Sequence, residues 1–402
     1  MVKQGTDMRA ARLIGGTATA LIAATTALAQ PDFQFLQPAA FGSAGARITD
    51  ISVNGSVLTA SQSSGLASIG SYWNGTQRFD IAEPQFPAPS STLNSVSRDG
   101  QFFAGDYTPV GGQSRIFSLS QSGQFNTYPI AGGSRVRLPN ISDNGSIIAA
   151  QAEVFDSDGS VNARRVVRYT STSTWDVIAP PVTAIQSQHF ISDMSGDGNV
   201  IVGAAAIDNL EVRPLFPTIW RNGVGSSWLP TPADTAFAFA STVSANGDVI
   251  AGEVTTAVGG TFFAVWSNNL VTTYGLPSGQ NRIFPTHVSD DGQIVTGNVR
   301  SFAGVDAGFI WTPSTGTVTA REYLLNVGVP ISLGANQQLS GIWDPVVSAD
   351  GTTIAGTVSI FNTDSGITEV SFFRATIPAP SSLLLVAAAS LFTSTRRRSR
   401  FD

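Results

Sequence analysis

The chain has 402 residues, enough for a large core, and its 42% hydrophobic and 12% charged residues with 40 Gly and 21 Pro suit turn-rich β-structure rather than disorder. A formal charge of −6, with Lys3 the single lysine, excludes the clustered cationic surface that a nucleic-acid binder needs. The absence of cysteine excludes disulfides, thiolate nucleophiles and cysteine metal sites, and two histidines, His189 and His287, are too few for a three-histidine zinc centre.

Residues 1–29 read as a secretory signal peptide. Lys3, Arg9 and Arg12 make a positive start, Leu13 to Leu28 is an apolar stretch rich in Ala, Thr and Gly, and Ala27-Leu28-Ala29 fits the small-x-small cleavage pattern, with the cut between Ala29 and Gln30. Two strand-like runs follow, Phe33 to Leu36 and Ala46 to Ile51.

From there the chain is one unit repeated. The element Ser-x-Asn/Asp-Gly, preceded by an apolar residue, occurs seven times, with its glycine at 55, 100, 145, 198, 247, 292 and 351. The spacings of 45, 45, 53, 49, 45 and 59 residues match the roughly 40–50 residues of a four-stranded propeller blade. Asn-Gly or Asp-Gly between apolar runs predicts a tight hairpin of type I′. Asn stands before the glycine in three copies and Asp in four. Turn chemistry accepts that mixture, whereas a metal ligand or catalytic acid does not. The invariant serine is read as a side-chain bond to the turn backbone. Each turn leads into a short apolar strand ending on a small residue: Ala60, Gly105, Ala150, Gly203, Gly252, Gly297 or Gly356. A small residue inside a strand signals close approach of another backbone, which suggests that this strand lies innermost. An aromatic strand follows, clearest at Trp73, Trp220, Trp266 and Trp311, and then a third strand.

Six full units lie between the first and last turn glycines, and the strand runs outside them make up a seventh. The fold expected is therefore all-β: a seven-bladed β-propeller of four-stranded blades over residues 30–376, the last blade closed by two strands from each terminus. Glu322 to Asp344 departs furthest from the repeat, with Leu324-Leu325-Asn326 as a short helical turn. Asp156-Ser157-Asp158-Gly159 resembles the opening of a calcium loop, but the twelfth position is Val167 rather than Glu, so a plain hairpin turn is expected and no metal or cofactor.

Residues 377–402 change character. Pro378-Ala379-Pro380 is followed by an apolar run, Leu383 to Phe392, and by Arg396-Arg397-Arg398-Ser399-Arg400. This tail resembles the PEP-CTERM sorting signal of Gram-negative bacteria, with Pro-Ala-Pro in place of Pro-Glu-Pro. The resemblance implies Sec-type export, transient inner-membrane tethering through a short transmembrane helix, processing by an exosortase-like enzyme, and a cell-surface or extracellular destination near exopolysaccharide. The body is similar to the HAF-type extracellular repeat family, on elements such as Phe309-Ile310-Trp311 and Val347 to Gly356. That family carries no assigned reaction.

Two functions remain open from the sequence. One is a non-enzymatic module of the cell surface or matrix that binds glycan or protein or serves a structural role, with Trp73, Trp220, Trp266 and Trp311 as candidate ligand-stacking residues; the alternative for these tryptophans is packing between sheets. The other is a polysaccharide hydrolase or lyase. The residue after each small one is expected near the central channel, and there Asp106 and Glu253 are the candidate carboxylates. Converging carboxylates would favour the enzyme; exposed aromatics on one face would favour the binding module.

Overall fold

The computed structural model describes residues 30–36, 45–63, 68–81, 90–109, 112–128, 135–155, 161–207, 214–304 and 306–377. Residues 1–29, the segment Asp156 to Ser160, and the tail with Pro378, Ala379, Pro380, Arg396, Arg397 and Arg398 lie outside them. Among the described residues no helix is long and apolar enough to cross a membrane.

The turns share one wiring. At Ser289 the hydroxyl accepts the Ile294 N–H at 3.0 Å and donates to Asp291 Oδ1 at 2.7 Å, and that oxygen accepts the Gln293 N–H at 2.9 Å. The same three bonds recur at Ser52, Ser97, Ser142, Ser195, Ser244 and Ser348. The serines and the Asn/Asp residues are thus turn chemistry, but the turn is not the type I′ expected. Only the glycine takes a positive φ, between 67° and 76°, and the Asn or Asp before it does not. The loop has four residues closed by Ser52 N–H to Val57 O at 2.9 Å and its equivalents, a frame built on a type I turn. Asn268-Asn269, at φ 52° and 61°, has the two positive φ values of type I′.

Each turn joins the first two strands of a four-stranded antiparallel sheet. The sheet of Ser52 runs Arg47–Ile51, Val57–Ser63, Ser68–Asn74, Gln77–Asp80; that of Ser97 runs Ser90–Val96, Phe102–Thr108, Arg115–Ser120, Phe125–Tyr128. That of Ser142 runs Arg135–Ile141, Ile148–Phe155, Val161–Tyr169, Trp175–Ile178; that of Ser195 runs Ala184–Met194, Val200–Ile207, Leu215–Arg221, Gly225–Trp228. These two touch through one parallel pair, Arg164 with Gln188. The Ser244 sheet runs Thr235–Val243, Val249–Thr256, Thr261–Ser267, Leu270–Tyr274, and the Ser289 sheet Gln280–Val288, Val295–Ser301, Asp306–Thr312, Gly316–Thr319. A helix, Ala320–Asn326, follows, capped by the Thr319 hydroxyl on Glu322 N–H; it contains the helical turn expected from Leu324 to Asn326.

The Ser348 sheet corrects the expected closure. Gln337–Val347, Thr353–Asn362 and Ile367–Thr376 come from the C-terminal side, and only Asp32–Leu36 is added from the N-terminal side. Arg47–Ile51 instead opens the Ser52 sheet. The reason is the position of the turn: the strand before it, not the strand after it, is the innermost of each sheet.

The small residues follow from that order. In the first strand of every sheet the register slips a few residues before the serine, for example between Ala240 and Thr242 and between Pro285 and His287. Such a bulge pushes a carbonyl toward the second strand. A Cβ built on Gly252 would lie 1.9 Å from Phe239 O, and one on Gly203 2.0 Å from Phe190 O.

The sheets follow one another around a common axis, and the turn glycines show it. A Cβ on Gly100 would lie 2.7 Å from Val57 of the preceding sheet, on Gly145 2.4 Å from Phe102, on Gly198 2.8 Å from Ile147, on Gly247 2.7 Å from Val200, and on Gly292 2.5 Å from Val249. Gly55 meets Thr353 at 2.4 Å, so the last sheet abuts the first. Backbone bonds such as Asp143 N–H to Gly196 O and Asp350 N–H to Val53 O link neighbouring turns. Aromatic rings fill the space between sheets: Trp73 meets Phe372 edge-on at 5.2 Å, and Trp311 lies 5.4 Å from Phe263.

Candidate functional site

The innermost strands enclose a cavity of about 500 Å³ on the axis, a size within the roughly 300–1,000 Å³ of small-ligand sites. Counting back from each turn serine places its lining in layers.

The residue after the serine forms the turn end. Arg98 pairs there with Asp290 of the Ser289 sheet and lies 3.9 Å from Asp143 of the Ser142 sheet. Burial pushes both carboxyls up, and Arg98 pulls them back down. One guanidinium thus ties together carboxylates that face each other near the axis.

Two residues before the serine stand Asp50, Asp193 and His287. Asp50 accepts the N–H of Ile51 at 2.7 Å and of Val96, in the next sheet, at 2.8 Å; His287 Nε2 lies 3.2 Å from it. Asp193 accepts the Met194 N–H at 2.7 Å, the Val243 N–H at 2.9 Å and the Thr242 hydroxyl at 2.8 Å. Burial raises its carboxyl to about 6 against these bonds and the nearby His287. These carboxylates are spent on the backbone of the adjacent strand. His189 is elsewhere, buried against Ile178 O, and burial lowers it to about 4.

Three residues before the serine the bulges turn short polar side chains into the cavity: Thr49, Asn94, Ser192, Ser241 and Thr286. In the remaining two sheets the bulge is wider and holds Leu138-Pro139 or Asp344-Pro345, with Leu138 and Asp344 at φ 53° and 47°. A positive φ on such residues stores about 1–3 kcal/mol and recurs at ligand sites.

Five residues before the serine, four consecutive sheets carry an aromatic: Phe190, Phe239, Phe284 and Trp343, all partly exposed. Arg164 stacks over Phe190 at 5.4 Å, and Arg282 and Arg300 over Phe284 at 5.2 and 5.6 Å. The other three sheets place Arg47, Thr92 and Arg137 there. Phe239 and Arg47 reach the cavity lining. The end opposite the turns is therefore an aromatic and arginine rim.

The candidate carboxylates sit beside this rim but do not line the cavity. Asp106 pairs across the strands with Thr92 and accepts its hydroxyl at 2.7 Å. Glu253 receives Arg282 of the next sheet at 3.0 and 3.3 Å. Burial raises both, opposed by these partners. Equivalent positions clamp the following sheet in the same way: Ser61 donates to Leu93 O, Gln151 to His189 O, and Asn298 to Asp344. The expectation that this position lines the channel is thus corrected, because the strand carrying it is second from the axis. Three of the tryptophans are corrected too: Trp73, Trp266 and Trp311 are at most 3% exposed, so their rings are held between sheets. Trp220 is partly exposed and lies under the Arg168 guanidinium at 5.4 Å. The aromatic rim and the Asp50–His287 contact were missed. Aligning the repeats backwards from the serine would have exposed the aromatic column.

No family model matches the chain, and no curated protein matches it. Among solved structures it is similar to an oligogalacturonate lyase from Vibrio parahaemolyticus, at 8% identity and a TM-score of 0.55 over 87% of this chain and 98% of that one. It is also similar to the β-propeller domain of the Trilobed protease from Pyrococcus furiosus, at 12% identity and a TM-score of 0.48 over 81% and 94% of the two chains. TolB from Acinetobacter baumannii gives 14% identity and a TM-score of 0.41 over 82% of this chain, which spans 63% of that protein. At such identities likeness bears on architecture alone, and the four-stranded sheets arranged about one axis, the last against the first, make the chain a β-propeller.

Proposed function

We propose that this protein is an exported, non-enzymatic glycan-binding propeller of seven blades, displayed at the cell surface or in the extracellular matrix. The observation that carries the binding role is the rim: Phe190, Phe239, Phe284 and Trp343 project from one end of four adjacent innermost strands beside a cavity. Apolar ring faces with a few convergent polar groups are what a carbohydrate site needs. The carboxylates nearby are engaged with backbone amides, with arginines or, for Asp106 and Asp344, with Thr92 and Asn298, which leaves a hydrolytic pair unsupported. The blade count is supported by the repeated strand pairing and by the contact of Gly55 with Thr353. Export through residues 1–29, with a Sec-type machinery and an exosortase-like enzyme acting on residues 377–402, completes the reading from the sequence of the two ends.

The test is a glycan array probed with the purified protein and with Phe239→Ala and Trp343→Ala. Binding is expected, weakened about tenfold or more by either change while the melting temperature stays close to the parent's. An array without any bound glycan, or binding indifferent to both changes, would refute the assignment.

A further inference from the structure

The cavity is built differently at its two ends. At the turn end Arg98 reaches Asp290 and Asp143, and backbone bonds knit the turns together. This end is a charged floor. At the other end Phe239 and Arg47 border the opening. A cavity crossed by Arg98 at one end and open at the other admits the end of a chain more readily than its middle.

The wall between floor and rim is the bulge layer, with the side chains of Thr49, Asn94, Ser192, Ser241 and Thr286. These are hydroxyls and one amide, and none carries charge. The Ser192 hydroxyl has no hydrogen-bond partner among the described residues. A bulge disrupts pairing and re-aims one side chain; in five of the innermost strands it presents such a group, and in the other two it holds Leu138 and Asp344.

The charged groups of the cavity are matched except Arg47 and Asp344, whose carboxylate accepts the Asn298 amide and makes no ion pair among the described residues. Asp50 meets His287 and two N–H groups, Asp193 three donors, and Asp143 and Asp290 share Arg98. Around the rim Arg137 and Arg164 face Glu153, Arg282 faces Glu253, and Arg300 faces Asp306. Arg47 makes no ion pair among the described residues, but Asp106 and Asp344 both lie within its field. An anionic ligand could pair only with Arg47, against the repulsion of Asp50, Asp143, Asp193, Asp290 and Asp344 in the same lining. A polyhydroxylated neutral ligand meets the uncharged donors and acceptors of the bulge layer and an aromatic lip without that repulsion.

We propose that this cup holds the terminal sugar of a neutral glycan, entering end-on past Phe239 with its hydroxyls against the bulge layer. The proposal rests on the glycan-binding reading and adds the charge class and the mode of engagement.

The test uses the full chain in calorimetric titrations against linear gluco-, xylo- and manno-oligosaccharides, cyclodextrins and oligogalacturonate. At least one linear neutral oligosaccharide is expected to bind, at least about tenfold more tightly than cyclodextrins or oligogalacturonate. Ser241→Phe, which fills the cup, should abolish that binding. Thr286→Val and Ser192→Ala, which keep its volume, should weaken it severalfold with an unchanged melting temperature, so that a folding defect in the first variant does not decide the matter. Equal binding of a cyclic and a linear glucan overturns end-on engagement. Stronger, salt-sensitive binding of oligogalacturonate overturns neutrality but leaves the glycan-binding reading intact. Loss with Phe239→Ala but none with the three cup variants overturns the cup alone. Absence of binding to every glycan overturns this proposal and the broader reading together.

Discussion

Replacing Asp193 by asparagine isolates one buried carboxylate. Folding raises its pKa from 3.8 to about 6, chiefly by burial. Because the folded value is the higher one, the protonated acid is favoured by the fold. Its contribution is fully present below pH 3.8 and is lost as pH rises through about 6. At about 1.4 kcal/mol per pH unit, the loss between pH ~3.5 and ~7 is about 3 kcal/mol. Asparagine does not titrate. Its oxygen can keep the Met194 N–H, but its amide faces the Val243 N–H that Asp193 now accepts at 2.9 Å. That lost bond costs about 1–3 kcal/mol at every pH. The absolute stabilities therefore mix two effects, and the difference between variant and parent separates them. Urea unfolding across the pH range should show the parent losing about 3 kcal/mol relative to Asp193→Asn as pH rises. Parallel pH profiles would refute the placement of this carboxylate in an enclosed site.

Three further outcomes follow from the repeat. Gly252→Ala should cost about 3 kcal/mol or more by overpacking, since the new Cβ would meet Phe239 O at 1.9 Å; Gly75→Ala, with nothing within 4 Å, should show only the penalty of its positive φ, in thermal melts. Ser289→Ala should cost about 1–3 kcal/mol by stranding the Ile294 N–H, whereas Asp291→Asn should stay within about 0.5 kcal/mol because Asn holds the equivalent place in three other turns. Deleting Asp32–Leu36 bares the edge of Ile367–Thr376, and an unpaired edge invites association; size-exclusion chromatography should show larger species. A deletion that stays monomeric and equally stable would contradict the closure by that strand.

The turns were the legible part of the sequence because their chemistry is local. Ser289, Asp291 and Gly292 act within a few residues, and any copy of the motif announces the same hairpin. What the turns could not announce was which strand faces the axis. The small residue at Gly252 was correctly read as a sign of close backbone approach, but the approaching backbone is Phe239 in the same sheet, not another strand crowding the axis. That inversion moved Asp106 and Glu253 from the cavity wall to the joints between sheets. The tryptophans stood out by residue type, yet the aromatics of the rim are Phe190, Phe239, Phe284 and Trp343, partly exposed and aligned only when each repeat is counted back from its serine. The meeting of His287 with Asp50, 237 residues apart in the chain, depends on ring closure and leaves no local trace.

The most direct test of the account incubates the purified protein with a glycan that it binds and follows, in one sample, the bound fraction and the length of the recovered chain. Glycan held at the rim and recovered unshortened, with no new reducing ends and no new double bonds, is the expected result. Cleaved product that disappears in Asp106→Asn or Glu253→Gln would contradict it and make this propeller an enzyme.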